Sequence, residues 1–112
     1  MATSPTQLSL KEMRGRGYYA EVVERYNSFT RRRNDLFGFV DILCIAKGEV
    51  IGVQTTTDGH ISDRIKKILA HENFMAVHDA GIKVVAHGWK KVGNRWQVRE
   101  VEVMPLTDDA AL

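Results

Sequence analysis

The sequence predicts an α/β fold: a small mixed β-sheet with flanking helices. Three observations predict it. Residues 38–57, GFVDILCIAKGEVIGVQTTT, hold two apolar stretches around Lys47-Gly48, the pattern of a β-hairpin. Ile61, Ile65, Ile68, Leu69, Met75 and Ala76 then recur with the 3.6-residue period of a helix. Two further strand-like segments follow, IKVVAHGW at 82–89 and WQVREVEVM at 96–104. Helix, hairpin, helix, strand, strand is the order of a small α/β domain. The 112 residues are enough for one domain with its own core, without disulfides or a structural metal.

From the N-terminus, residues 1–7 are small and polar and are expected to be loose. Residues 8–14 fit a short helix or turn, ended by Gly15-Arg16-Gly17. YYAEVVERYN, 18–27, predicts a helix with Tyr19, Val22, Val23 and Tyr26 on one face. A short extended piece is expected over 28–32. In the hairpin, a two-residue turn at Lys47-Gly48 sets the register. Ala46 faces Glu49, Cys44 faces Ile51, Ile42 faces Val53, and Asp41 faces Gln54. Both faces are apolar, which marks central strands. Asp58 or Ser62 is a candidate cap for the next helix, expected to run to about Asp79 and close at Ala80-Gly81. A turn over 92–94 joins the last two strands. The tail, 105–112, is expected to be flexible.

Several function classes are excluded or reduced. No run of about 18 apolar residues occurs, so no membrane-spanning helix is expected. MATSPTQLSL lacks a basic segment followed by an apolar one, so no signal peptide is expected and the cytoplasm is the expected compartment. The lone Cys44, within an apolar strand, reads as a buried small hydrophobe, and no zinc-type His/Cys spacing exists.

Asp41 and Gln54 carry the functional argument. A carboxylate in a dry strand costs several kcal/mol unless it is paired, protonated or bound to a cation. The hairpin register puts Gln54 opposite it, with Cβ atoms about 5 Å apart on one face. Thr56 lies on that face one step beyond. The pair offers oxygen ligands of the kind Mg²⁺ or Mn²⁺ accepts. A structural aspartate bonded to backbone or to an arginine is the competing reading. The net charge is only +2, but Arg31, Arg32 and Arg33 are consecutive, and Arg64, Lys66, Lys67, Lys90, Lys91, Arg95 and Arg99 follow. Such groups can converge on a phosphate backbone or form ordinary solvated surface. His60, near the motif strand, can touch a phosphate or simply start a helix. His71 and His78 are seven apart and can share a helix face, with no third ligand evident. His87 fits a bonded core histidine. Trp89 and Trp96 fit core or sheet-edge packing, with base stacking as the alternative.

DLFGFVD at 35–41, VIGVQTTT at 50–57 and the basic helix after them resemble the PD-(D/E)XK nuclease superfamily, in its small phage-type, Holliday-junction-resolvase-like branch. The resemblance spans about residues 17–103. It implies a restriction-endonuclease-like core and a metal-dependent endonuclease acting on double-stranded or branched DNA with Mg²⁺ or Mn²⁺, as a possible homodimer. Asp41 falls at the family's first acid, Gln54 at the second, and Thr56 at the lysine. Glu24, or less well Glu21, would supply the acid the family often takes from its first helix. The implied catalytic set is Asp41, Gln54, Thr56 and Glu24. The implied metal set is Asp41, Gln54, the Thr55 carbonyl and Asp35, whose charge would make up for Gln54. Arg31, Arg32, Arg33, His60, Arg64, Lys67 and Lys90 would hold phosphates. Gln54 and Thr56 depart from the family pattern, and Lys66, Lys67 or Lys47 could replace the missing lysine only if the fold turned one inward. A nucleic-acid-binding module with an inactive site, and a structural protein on the same fold, are the rival readings.

Overall fold

Lys47 and Gly48 both have positive φ, 51° and 76°. That is the twist-matched two-residue turn the hairpin needs. It joins β4 (Ile42–Ala46) to β5 (Glu49–Thr57), and the expected register holds, with Ala46 opposite Glu49 and Ile42 opposite Val53. The computed structural model describes residues 3–106. Residues 107–112, most of the tail expected to be flexible, and residues 1–2 lie outside the described residues. Residues 105–106 have no regular structure.

The remaining elements are α1 (Pro5–Gly15), β1 (Tyr19–Val22), β2 (Arg25–Asn27), β3 (Arg32–Asn34), α2 (Ile61–Ala70), α3 (Phe74–Asp79), β6 (Ile82–Val92) and β7 (Arg95–Glu102). A single 3₁₀ turn, Asp58–His60, leads into α2. The main sheet runs β1-β4-β5-β6-β7. β5 and β6 are parallel, joined by the α2–α3 crossover, and every other pair is antiparallel. The mixed α/β fold is therefore as expected, with β4 and β5 interior. β2 and β3 form a separate two-stranded hairpin between β1 and β4.

Strand alternation sends apolar residues to both sheet faces. Ile42, Cys44, Ile51, Val53 and Val85 pack under Leu10 and Met13 of α1. Val84 and Ala86 pack with Phe39, Val40, Ile61, Ile68, Phe74 and Val77 on the α2–α3 side. Cys44 is fully buried, and burial pushes its thiol up to about 11, so it is a packing residue. Among the described residues no helix is long and apolar enough to cross a membrane.

Three expectations are corrected. Residues 18–27 are not a helix: they contain β1 and β2. Of the residues expected on one helix face, Tyr19, Val22 and Tyr26 are exposed and Val23 is half-buried against the α2–α3 core, while Ala20 is buried opposite Cys44. Aromatic and β-branched residues favour the strand, and pairing with β4 completes that edge. Residues 5–7 are not loose but open α1, with Ser4 as N-cap accepting from the Gln7 N–H at 3.2 Å and Pro5 at the first helical position. The helix after β5 is broken. His71 goes extended (ψ 134°), so α2 ends and α3 restarts at Phe74. Neither Asp58 nor Ser62 caps α2 through its side chain, since His60 occupies that position. His71 and His78 therefore share no helix face: His71 meets the Phe39 ring edge-on and His78 stacks on Phe74.

Candidate metal centre

The start of β4 lies beside the second half of β5, which brings the polar residues of both motifs together. Asp41 immediately precedes β4, and its backbone N–H still donates to the Val53 carbonyl at 2.8 Å. Its buried Oδ2 accepts three hydrogen bonds. Gln54 Nε2 donates at 2.6 Å, the Thr55 N–H at 2.8 Å and Thr55 Oγ1 at 3.1 Å. Because Thr55 gives its hydroxyl proton to Asp41, Thr6 Oγ1 must be the donor in its 3.0 Å contact with Thr55 Oγ1. The first turn of α1 thus fastens the site. The load on Oδ2 leaves Oδ1 and the Gln54 Oε1 as the atoms open to a ligand.

Two further carboxylates approach Asp41. Glu24, in the bend between β1 and β2, and Asp35, after β3, each put an oxygen within a cluster whose members lie within 4.8 Å of one another. The chain from Asp35 to Asp41 is a tight loop. Phe37 and Gly38 both have positive φ, 59° and 94°, and Leu36 and Val40 bridge across it. His71 packs on Gly38, leaving no room there for a Cβ, and Asn73 Nδ2 donates to the Phe37 carbonyl at 3.0 Å. The α2–α3 break therefore clips the loop that carries both aspartates.

Electrostatics follows the geometry. Burial pushes the Asp41 carboxyl up to about 6. The Thr55 N–H opposes this and the neighbouring Asp35 adds to it. Burial also raises Asp35 and Glu24, with Arg33 pulling both back and the charge of Asp41 adding to the rise at Glu24. Three carboxyl groups this close resist full ionisation, and a cation would remove both causes. The donor set, all oxygen and partly buried, fits Mg²⁺ or Mn²⁺.

These groups line an open cleft of about 530 Å³ with Ser4, Pro5, Thr6, Arg33, Thr55, Thr56, Thr57, His60 and Arg64. The structure so gathers Asp41, Gln54, Thr55, Thr56, Glu24, Asp35, Arg33, His60 and Arg64. Glu24 comes from a bend between strands and not from a helix. Arg31 and Arg32 are exposed on the β2–β3 hairpin, away from the cleft lining, as are Lys67 on α2 and Lys90 on β6. Lys47 sits at the far end of the β4–β5 hairpin and Lys66 is exposed, and neither lines the cleft beside Thr56. The cleft's positive groups are Arg33, which reaches Glu24 at 3.3 Å, and Arg64; His60 lies beside them, its Nδ1 2.9 Å from Thr57 Oγ1.

Ser4 and Thr6 were not foreseen at the site. The signal was present in Ser4-Pro5-Thr6-Gln7, a cap residue with proline next and glutamine three positions on.

No family model matches the chain, and neither the curated proteins nor the solved structures contain a match.

Proposed function

We propose that the protein is a metal-dependent nuclease that hydrolyses DNA phosphodiesters, with branched DNA as a candidate substrate. One observation carries the reading. Asp41, Asp35 and Glu24 converge with Gln54 in a cleft edged by Arg33, Arg64 and His60. The order of elements supports it: the PD-(D/E)XK resemblance implies a helix, an antiparallel pair of strands carrying the acids, a crossover helix and further strands, and α1, β4–β5, α2–α3 and β6–β7 follow that order.

Asp41, Asp35, Glu24 and the Gln54 oxygen would hold the ion. A bound Mg²⁺ or Mn²⁺ supplies Lewis acidity to a phosphoryl oxygen and lowers the pKa of water. Arg33 and Arg64 would offset the charge of the phosphate, and His60 would help orient it. Thr6 and Thr55 keep Asp41 in one rotamer, so that its free oxygen is aimed before substrate arrives.

One observation favours a second reading, a nucleic-acid-binding module with an inactive site: Thr56 stands at the expected lysine and no lysine lines the cleft. Calorimetric titration with Mn²⁺, with nicking of plasmid and cutting of a four-way junction, separates the two. Wild-type protein is expected to bind the ion and cut, and Asp41→Asn to lose at least about a hundredfold in rate. Wild-type protein that binds DNA but neither binds Mn²⁺ nor cuts would establish the binding module.

A further inference from the structure

The β2–β3 hairpin contributes no residue to either core layer. Residues 25–34, RYNSFTRRRN, contain four arginines and no acid. At its tip the Asn27 side chain accepts from the Phe29 N–H at 2.9 Å and the Thr30 N–H at 3.3 Å, which shapes the turn. Phe29 is 97% exposed and Tyr26 is 64% exposed. Neither ring belongs to the core.

The register assigns faces. Tyr26 is directly paired with Arg33, so both side chains lie on one face of the hairpin. Both line a groove of about 300 Å³ with Ser4, Thr6, Gln7, Val22 and Glu24. Ser4, Thr6, Glu24 and Arg33 also line the acid cleft, so the groove runs into it. Arg25, paired with Asn34, and Arg32, paired with Asn27, lie on the opposite face.

The geometry points to an arm that guides a DNA strand with unpaired bases into the acid cleft, Tyr26 stacking a base in the groove and Phe29 stacking at the tip. Arginines alone would hold the backbone of any DNA. Exposed aromatic rings add affinity only where a base face is free, which a closed duplex does not offer except at its ends. The inference rests on the nuclease reading for the scissile position, though the binding preference does not.

The test is fluorescence anisotropy in Ca²⁺, without cutting, on a single strand, a forked duplex with unpaired arms, and a hairpin-capped duplex of equal length. 2-Aminopurine in the unpaired arm reports stacking. Wild-type protein is expected to prefer the forked and single-stranded DNA and to quench the probe. Tyr26→Ala and Phe29→Ala should each lose about tenfold on those DNAs and little on the capped duplex. Tyr26→Phe should retain the preference, and circular dichroism checks that each variant is folded. Arg31→Ala with Arg32→Ala should weaken binding to all three and lower the salt slope on duplex by about two. Equal wild-type affinity for forked and capped DNA, or an aromatic substitution that weakens all three alike, overturns the inference. Fork preference in a protein that cuts nothing with Mn²⁺ would overturn the nuclease reading and leave the arm's role standing.

Discussion

Gln54 donates its amide Nε2 to Asp41 Oδ2 at 2.6 Å, from within β5 to the residue that leads into β4. The amide is therefore a donor to the aspartate as well as a candidate ligand, and a glutamate in its place could serve only as the second. That difference makes the role of Gln54 testable.

Gln54→Glu should pull the two functions apart. In the metal-free protein it deletes a hydrogen bond to a buried carboxylate and sets a second charge against it. The expected cost is about 2 kcal/mol, read by urea denaturation in EDTA. With Mn²⁺ present the extra charge should tighten binding about tenfold by calorimetry, since charge count raises affinity for hard cations. A variant that is neither less stable without metal nor tighter with it would show that Gln54 does not face the ion.

The raised Asp41 carboxyl has a stability consequence with a definite sign. Its folded pKa, about 6, lies above the ordinary 3.8. The folded state then binds the proton more tightly than the unfolded chain. The contribution is fully present below about pH 4 and is lost as the pH rises through 6. Metal-free Asp41→Asn should thus be more stable than wild type at pH 7.5, by about 1–2 kcal/mol, with the difference vanishing near pH 4. Thermal melts in EDTA across that range give the difference curve. His87, whose pKa burial lowers, acts in the opposite direction in both proteins and cancels in the subtraction.

What the sequence made legible was whatever local pattern decides. The Lys47-Gly48 turn fixed the β4–β5 register, and the register alone made Asp41 and Gln54 neighbours. Asp35 was legible as a spare charge, but not the loop that folds it back onto Asp41. That loop depends on His71, thirty-three positions beyond Gly38, and on a helix break whose one local sign is Asn73, the N-cap of α3. Glu24 was expected near Asp41 from a helix, and it approaches Asp41 from the segment between β1 and β2. Tyr19, Val22 and Tyr26 have helical spacing, yet partners elsewhere in the chain, Ile45, Ile42 and Arg33, decide that they are strand residues.

Gly38→Ala tests the clip. Gly38 has φ 94°, which an L side chain resists, and the new methyl would collide with the His71 ring. Destabilisation of about 2–4 kcal/mol is expected from the strained φ and the overpacking together. Because the same loop carries Asp35 and Asp41, Mn²⁺ affinity should fall as well. His71→Ala opens the space, so the double variant should recover part of the stability lost by Gly38→Ala alone. A double variant no better than the single one would place the cost in the backbone instead of the collision.

Away from the cleft, Ser9 holds together a buried polar triad. The Trp89 indole can only donate, and its Nε1 lies 2.7 Å from Ser9 Oγ. Ser9 Oγ therefore accepts from Trp89, and in the tautomer that leaves His87 Nδ1 bare it gives its own proton to that nitrogen, at 2.9 Å. The imidazole proton then sits on Nε2, which has no hydrogen-bond partner among the described residues and faces Glu100 at 3.5 Å. Ser9→Ala strands two buried polar groups at once and should cost about 2–4 kcal/mol. Trp89→Phe removes one of the groups that Ser9 satisfies. In the double variant only His87 Nδ1 is left without its partner, so the combined loss should be smaller than the two single losses added, by about 1 kcal/mol or more. Urea denaturation of the four proteins at pH 7.5 measures this coupling, and strict additivity would show that the Trp89–Ser9 bond contributes nothing to stability.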